Sequence, residues 1–227
     1  MDIAVYSGSF NPLHIGHLAI MKYLIGEGGF DCVYLIVSPK NPLKEGISSD
    51  SGQARYEAAL EAVGRHFPPI STDADMADEY IDDMPPPARG CHEVAGGIGI
   101  SSAISAPDHQ TKVKVDDIEL KMPEPHYTIR TLDALREREP GNTFTIVMGA
   151  DNLADIRRWR DYQRILKEYG AAVYPRTGYD IESIRQDLLK EDPAYRITIL
   201  KAETVDISST AIRNAIAEGK DPSAWLM

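Results

Sequence analysis

The first seventeen residues constrain the fold of this chain more than any other stretch. A short apolar run over residues 3–6 leads into residues 8–17, Gly-Ser-Phe-Asn-Pro-Leu-His-Ile-Gly-His, and an amphipathic run over residues 18–25 follows. This pattern predicts a strand, a tight turn and a helix, with two histidines at the start of the helix. Because the free N–H groups of a helix N-terminus attract anions and imidazoles add hydrogen-bond donors, the stretch predicts a phosphate-binding site.

The rest of the hydrophobic pattern alternates between short apolar runs and amphipathic helices, which is typical of an α/β fold with a parallel sheet. With 227 residues, the chain is long enough for a single domain over residues 1–227. Asp50 and Gln53 are predicted to cap the second helix. The predicted strands are 3–6, 31–37, 112–120, 143–148, 171–174 and 196–200. The predicted helices are 18–25, 55–63, 127–136, 181–190 and a last one from about 207 to 219, with helical turns around 153–156 and 162–167.

One stretch, at about residues 67–110, lacks any clear periodicity. It contains two proline clusters, an acidic run and a glycine-rich segment. A stretch of this length without periodicity is unusual inside a compact domain, so an irregular insertion is predicted here. Cys91, His92 and His109 fall in or beside it, but their spacing matches no known metal site, and no metal-ligating residue is predicted in the chain.

Composition excludes several classes of protein. A formal net charge of −11 argues against a nucleic-acid partner, which would require a basic face. The two cysteines provide no disulfide framework and no Cys-x-x-Cys metal spacing. The sequence shows no signal peptide and no apolar stretch near eighteen residues, so no membrane partner and a soluble cytoplasmic protein are expected.

A second anion-binding motif lies near the end of the chain. Residues 207–213 read Ile-Ser-Ser-Thr-Ala-Ile-Arg, in which Ser208 or Ser209 is a good helix N-cap. Ser209 and Thr210 place hydroxyls at the helix start, and Arg213 lies one turn further on. Taken alone, this pattern fits an ordinary capped helix with a surface arginine equally well.

Together, the two motifs resemble the paired signatures of the nucleotidylyltransferase superfamily, in which His-x-Gly-His and Ile-Ser-Ser-Thr-x-Ile-Arg hold a nucleoside triphosphate. The resemblance implies a Rossmann-like doubly wound parallel sheet with helices on both faces. It also implies that four residues act in catalysis: His14, His17, Lys44 and Arg213. The residues implied to bind ATP are Gly8, Ser9, Phe10, Ile207, Ser208, Ser209 and Thr210.

The middle of the chain resembles one family in that superfamily, nicotinate-mononucleotide adenylyltransferase. The matching segments are Met-Gly-Ala-Asp-Asn-Leu at 148–153 with Trp159 beyond it, Tyr-Thr-Ile at 127–129, and Asn-Pro-Leu-Lys at 41–44. The resemblance implies that Trp159 stacks on the pyridine ring, although a half-buried anchor between two helices would also explain that residue. The residues implied to bind nicotinate mononucleotide are Asn11, Tyr127, Thr128, Asp151 and Trp159.

The chain departs from this family's commonest pattern at three positions. Asn11 stands where many members carry Asp. His126 and Arg130 stand where Ser and Asp are frequent around the Tyr-Thr motif, so the contacts to the pyridine are expected to differ in detail while the reaction is unaffected.

The resemblance implies a complete reaction. The 5′-phosphate of nicotinate mononucleotide attacks the α-phosphorus of ATP and expels pyrophosphate, which leaves deamido-NAD, a precursor in NAD biosynthesis. Positioning and charge stabilisation supply the catalysis, and Mg²⁺ is expected to be held mainly by the ATP phosphates and water. ATP and nicotinate mononucleotide are the expected partners, and a homo-oligomer is compatible with the resemblance.

Three alternatives stay open on the sequence. Another adenylyltransferase, such as phosphopantetheine adenylyltransferase, shares both motifs, but that family is usually shorter and lacks the Gly-Ala-Asp-Asn…Trp spacing. A class I aminoacyl-tRNA synthetase fragment shares His-Ile-Gly-His, but its Lys-Met-Ser-Lys-Ser loop is missing, since Pro123 follows Lys121-Met122. A nucleotide-binding module without catalysis would not need both histidines, Lys44 and Arg213.

Overall fold

The computed structural model describes residues 1–39, 51–68, 112–203 and 207–227. Residues Met1–Pro68 and Lys112–Met227 form one compact unit. Within the described residues, six parallel strands form one sheet in the order β3-β2-β1-β4-β5-β6. The strands are β1 (Asp2–Gly8), β2 (Cys32–Val37), β3 (Val113–Asp116), β4 (Thr143–Gly149), β5 (Ala171–Tyr174) and β6 (Ile197–Ile199).

Helices connect these strands in sequence order. They are α1 (Ile15–Ile25), α2 (Gly52–His66), α3 (Ile118–Lys121), α4 (Thr128–Arg138), α5 (Ala150–Ala154), α6 (Tyr162–Arg164), α7 (Ile181–Glu191) and α8 (Ser209–Ala217). A 3-10 turn, Ile156–Arg158, follows α5, and a π turn, Ile165–Tyr169, continues α6. Among the described helices, none is long and apolar enough to cross a membrane.

The two faces of the sheet carry separate hydrophobic cores, because successive strand residues point in opposite directions. In β1, Ile3 and Val5 belong to one core, which α4, α5 and α7 cover, whereas Ala4 and Tyr6 belong to the other, which α1 and α2 cover. Because helices cover both faces of the parallel sheet, the fold is a doubly wound α/β layer structure, which confirms the predicted fold class.

The strand register brings several carboxyl ends to one edge of the sheet. Gly8 of β1 pairs with Val37 of β2, and Gly149 of β4 pairs with Tyr174 of β5. The strand order reverses between β1 and β4, so the crevice beyond these two strands is the topological switch point where such sheets bind ligands. The His-x-Gly-His stretch follows β1 directly and therefore lies at this point.

Two of the predicted elements are wrong in detail. The predicted strand 112–120 ends at Asp116, whose carboxylate accepts a hydrogen bond from the Ile118 N–H at 3.0 Å and turns the chain into α3. The predicted capping role of Gln53 is also wrong, because Ser51 Oγ accepts from the Ala54 N–H at 3.1 Å and the Gln53 amide binds Glu57 instead. Asp50, the other half of the predicted cap, lies outside the described residues.

The predicted insertion at about 67–110 falls almost entirely outside the described residues and stays a prediction. Its first residue, Phe67, lies at the end of α2 and is buried in the core beneath α1 and α2. Cys91, His92 and His109 also lie outside the described part of the chain.

Candidate active site

The two histidines lie against each other at the N-terminus of α1. Their ring centroids are 3.7 Å apart and the planes are inclined by only 27°, so the imidazoles are stacked. His17 Nδ1 accepts a hydrogen bond from the backbone N–H of His14 at 3.2 Å. Because Nδ1 acts as the acceptor, we assign the proton of the neutral His17 ring to Nε2, which leaves that N–H available to a ligand.

Burial keeps both rings neutral. Burial, with a smaller contribution from the nearby positive charge of Arg176, lowers the pKa of His14 to about 4. Burial also holds the pKa of His17 well below its ordinary value, with smaller contributions from His14 and Arg176. At neutral pH the pair therefore offers neutral hydrogen-bond donors at the positive end of a helix.

This neutrality predicts a pH-dependent stability. In the unfolded chain His14 titrates near its ordinary pKa of about 6.5, so between there and pH 4 the unfolded state binds more protons than the folded state. The contribution of His14 to the free energy of unfolding is therefore fully present above that range and is lost as the pH decreases through it. Between pH 7.5 and 5, His14 alone should remove about 2 kcal/mol from the free energy of unfolding.

Urea denaturation at both pH values measures this effect. We expect the variant His14→Asn to lose about 2 kcal/mol of the pH-dependent difference, because no buried imidazole remains to be protonated. His66 lies exposed at the end of α2, so His66→Asn should keep the wild-type difference. A His14→Asn variant with the full wild-type pH dependence would contradict the assignment.

The turn before the histidines is built around Phe10. This residue has a left-handed backbone with φ of 44°, which is unfavourable for a residue with a side chain, and it is buried. Its ring meets the His17 ring edge to face at 5.1 Å, and a Cβ on Gly8 would lie 3.1 Å from the Phe10 ring. The side chain of Phe10 thus packs against the His17 ring, so the predicted contact of Phe10 to ATP would fall to its backbone.

The C-terminal motif packs against this turn from the far end of the sequence. Ser208 caps α8 by accepting from the Ala211 N–H at 3.2 Å, which confirms the predicted cap. The Ser209 hydroxyl donates to the carbonyl of Pro12 at 3.2 Å. Arg213 donates to the Asn11 carbonyl at 2.7 Å and to the Thr210 hydroxyl at 2.9 Å. The N-termini of α1 and α8 are therefore both attached to one turn.

Two further contacts join the ends of the chain. A Cβ on Gly16 would lie 3.0 Å from both the His14 ring and the Ile207 side chain, so glycine is needed where α1 meets the C-terminal motif. Beyond α8, the Ile15 N–H donates to the Trp225 carbonyl at 3.0 Å, and Leu226 forms an antiparallel bridge with His14. Trp225 thus contributes its backbone to the support of the His-x-Gly-His segment.

Sequence analysis missed one cation in this pocket. Arg176 follows β5 at the carboxyl edge of the sheet and lines a pocket with His14, His17 and Ile207. Its guanidinium lies 5.1 Å from the centroid of the Tyr174 ring and 3.9 Å from the Asp151 carboxylate. In the sequence, the one feature that indicates a functional role for Arg176 is its position just beyond a strand end, since ligands bind at that edge of such a sheet.

The residues predicted to bind the pyridine nucleotide lie along β4, α4 and α5. Asp151 is in the first turn of α5, and its Oδ1 is buried without a hydrogen-bond partner among the described residues. A Cβ on Gly149 would overlap that oxygen, so the glycine makes room for it. Tyr127 is the N-cap of α4 and makes no side-chain cap, which leaves the first N–H groups of the helix, beginning at Thr128, open to an acceptor.

Trp159 follows the 3-10 turn after α5. It is half-buried and packs against the same hydrophobic core as Tyr127, and its Nε1 has no hydrogen-bond partner within the described residues. Packing and pyridine stacking are both compatible with this position. Among the predicted site residues, Arg213 is hydrogen-bonded to Asn11 and Thr210, and His14 stacks on His17, whereas Lys44 lies outside the described residues.

The unusual residues around the Tyr-Thr motif have different roles. Arg130 donates to the carbonyls of Pro123 and Pro125, so it shapes the loop before α4. His126 is buried, and its Nδ1 has no hydrogen-bond partner in the described part of the chain. No group of three or more His, Cys, Asp or Glu side chains in the described ranges could hold a metal ion.

Comparison with known proteins defines the class of this chain. A family model described as "Cytidylyltransferase-like" matches residues 5–76 and 101–215, which is most of the sequence. A structure titled "Plasmodium falciparum nicotinic acid mononucleotide adenylyltransferase complexed with NaAD" superposes with a TM-score of 0.64 at 17% identity, covering 99% of this chain and 90% of that one. The fold and the family model together make this chain a nucleotidyltransferase of the cytidylyltransferase-like class.

Relatives with higher sequence identity identify the family within this class. The protein named "Probable nicotinate-nucleotide adenylyltransferase" in Flavobacterium johnsoniae is 32% identical, over 99% of this chain and 94% of its own length. The protein of the same name in Porphyromonas gingivalis is 31% identical, over 100% of this chain and 89% of its own length. The chain belongs to the nicotinate-nucleotide adenylyltransferase family. The family and the enzyme class predicted from the sequence are thereby confirmed.

Proposed function

We propose that this chain transfers the adenylyl group of ATP to the 5′-phosphate of nicotinate mononucleotide, giving deamido-NAD and pyrophosphate in NAD biosynthesis. Membership of the family supports the reaction. The observation that carries it in this structure is the meeting of two helix N-termini, because Ser209 and Arg213 of α8 bind the Pro12 and Asn11 carbonyls just before the histidine pair. A polyphosphate placed there would meet N–H groups, imidazole donors and a guanidinium together.

Positioning and charge stabilisation account for the chemistry. An oxygen of the nucleotide 5′-phosphate attacks the α-phosphorus of ATP in line, the bond to the β-phosphate breaks, and pyrophosphate leaves with the electron pair. The neutral rings of His14 and His17 donate to oxygens on which negative charge builds, and no protein nucleophile is required. Ser209, Thr210 and Arg213 hold the departing pyrophosphate, and Lys44 is proposed to assist them.

Arg176 extends this phosphate-binding surface. Its charge lies close enough to the histidines to lower both of their pKa values. A guanidinium in that position attracts the triphosphate while discouraging protonation of the rings, so the donors remain neutral until the substrate arrives. Mg²⁺, when bound, would neutralise phosphate charge and would be held chiefly by the phosphates and water.

The pyridine nucleotide is proposed to lie beyond β4 and against the start of α4. The open N–H groups after Tyr127 suit the carboxylate of the nicotinate ring, with the Thr128 hydroxyl as a further donor. Asp151 Oδ1 accepts no hydrogen bond within the described residues and lies 3.9 Å from Arg176 Nε, so it suits a sugar hydroxyl. Trp159 is proposed to stack on the positively charged pyridinium.

The test of this function is pyrophosphate release from ATP and Mg²⁺ with either nicotinate or nicotinamide mononucleotide as the second substrate. We expect a strong preference for the acid, because helix N–H groups attract a carboxylate more than an amide. Equal use of both would contradict the proposed carboxylate site while leaving the reaction intact. If neither is used, the proposed reaction is wrong, and phosphopantetheine is the next acceptor to assay.

The remaining proposals concern the location and the oligomeric state of the protein. We propose a cytoplasmic location and nucleotide substrates alone as partners, and the family resemblance suggests a homo-oligomer. Light scattering coupled to gel filtration measures the oligomeric state, and cell fractionation measures the location.

A further inference from the structure

Two buried charged side chains near the carboxyl edge of the sheet have no part in the mechanism above. Arg55 of α2 has 6% of its surface exposed and Glu119 of α3 has 3%. Removing an ionised group from water is costly unless its hydrogen bonds are replaced, so their presence here needs an explanation. Neither residue belongs to a motif, and the sequence pattern does not distinguish either of them from the other polar residues of its helix.

The guanidinium of Arg55 donates hydrogen bonds to backbone carbonyls in two separate segments of the chain. It donates to the carbonyl of Ser9 at 2.5 Å, to that of Ser38 at 2.8 Å and to that of Pro39 at 2.8 Å. Ser9 lies in the turn proposed to bind ATP, and Ser38 follows the end of β2. The rigid fork of the guanidinium therefore holds the ATP turn at a fixed distance from the end of the neighbouring strand.

Glu119 accepts hydrogen bonds from hydroxyl groups on three different elements. Its Oε2 accepts from Ser38 Oγ at 2.5 Å, and its Oε1 accepts from Thr131 Oγ1 at 2.9 Å and from Ser7 Oγ at 3.4 Å. Ser7 directly precedes Gly8 in β1. The Thr131 N–H donates to the Tyr127 carbonyl at 3.3 Å, so Thr131 is itself connected to the N-cap of α4.

We infer that Arg55 and Glu119, joined through Ser38, form a buried clamp that sets the position of the ATP turn relative to the N-terminus of α4. The clamp reaches the ATP side through Ser7 and Ser9 and the pyridine-nucleotide side through Thr131. Both are positioning residues, because each acts through residues within or beside the proposed substrate segments and not by its own contact with a substrate. This inference rests on the proposed function, which assigns the two sides to the two substrates.

Weakening the clamp is expected to slow catalysis without weakening the binding of either substrate. Each side of the site keeps its own contacts when the clamp is weakened, so each nucleotide should still bind alone. The in-line attack, however, depends on the distance between the two sides, and a misplacement on the order of 1 Å can cost about 100-fold in rate. A weakened clamp should therefore lower kcat with little change in the separate dissociation constants.

The variant Glu119→Gln tests this, with Asp116→Asn as its matched control. Asp116 is equally buried, with 4% of its surface exposed, and it pairs with Arg138 at the far end of α4 rather than with a substrate segment. Its substitution also exchanges a buried carboxylate for an amide, and the amide oxygen can still accept from the Ile118 N–H. Both variants should lower the thermal midpoint, so stability alone does not distinguish them.

We expect kcat to fall at least about tenfold in Glu119→Gln and to stay within about twofold of wild type in Asp116→Asn, with assays run well below both midpoints. Calorimetric titration with ATP alone and with nicotinate mononucleotide alone should give dissociation constants within about threefold of wild type and full stoichiometry. Full stoichiometry excludes a smaller folded fraction as the cause. Unchanged kcat in Glu119→Gln, or an equal loss in Asp116→Asn, would overturn the clamp.

A second pair of variants covers the case in which Glu119→Gln does not fold. Thr131→Val removes one donor to Glu119 with almost no change in volume, and Thr131→Ser restores the hydroxyl. We expect kcat to fall severalfold in the valine variant and to recover in the serine variant; equal activity in both would count against the clamp. Wild-type enzyme that releases no pyrophosphate would instead refute the proposed function itself.

Discussion

Replacing His17 with alanine should lower kcat by at least about 100-fold while the dissociation constant for nicotinate mononucleotide changes by less than about threefold. The loss of one preorganised donor to a developing charge typically costs about 10²- to 10³-fold. The His17 Nε2–H is such a donor, because Nδ1 is occupied by the His14 N–H. Steady-state pyrophosphate release gives kcat, and calorimetric titration gives the dissociation constant.

Two further variants separate this role from helix capping. In His17→Asn the amide oxygen can replace Nδ1 as the acceptor for the His14 N–H, yet no donor reaches the position of Nε2, so kcat should remain as low as in alanine. His66→Asn, at the exposed end of α2, should behave as wild type. A His17→Ala enzyme with kcat within about threefold of wild type would refute the role of the histidine.

The second large effect is expected at Arg213. Replacing it with alanine should raise the KM for ATP by about 10-fold or more and lower kcat as well, because charge-assisted hydrogen bonds contribute about 1.5–3 kcal/mol each. The side chain also anchors the Asn11 carbonyl, so its removal loosens the turn that precedes the histidines. Initial rates over a range of ATP concentrations measure both parameters.

Lysine at this position should recover only part of the loss. A single ammonium lacks the planar fork with which Arg213 contacts the Asn11 carbonyl and Thr210 together. Arg185→Ala is the control, because Arg185 of α7 also donates to a backbone carbonyl, that of Ile197, but lies in no substrate segment. A lysine variant with wild-type KM, or an arginine control with an equal defect, would contradict the proposed contact.

Much of the fold could be predicted from local pattern. Fully buried parallel strands read as apolar runs, so β1, β2, β4 and β5 were found nearly at their true bounds. The strand predicted at 112–120 was too long because Ile118 and Leu120 are apolar as well, although they fall out of phase with Val113 and Val115. In the structure the Asp116 side chain turns the chain into α3 at this point. The insertion predicted at 67–110 stays a prediction.

The candidate site could be predicted only where residues cluster in sequence. His14, His17 and residues 207–213 lie in compact motifs, and the structure brings them to one turn. Arg55, Glu119 and Arg176 are single polar residues among ordinary helix or loop sequence, and their significance comes from burial and from partners distant in the chain. No local pattern records such partners.

The bonds between the C-terminal motif and the N-terminal turn also bear on biosynthesis. Arg213 and Asn11 are 202 positions apart, and Ser209 and Pro12 are 197 apart. A growing polypeptide that has already released β1, α1 and most of the sheet from the ribosome still lacks the C-terminal half of the proposed phosphate-binding site. The proposed activity should therefore require α8. Chains that end before α8 should release no pyrophosphate, even with a nearly complete sheet.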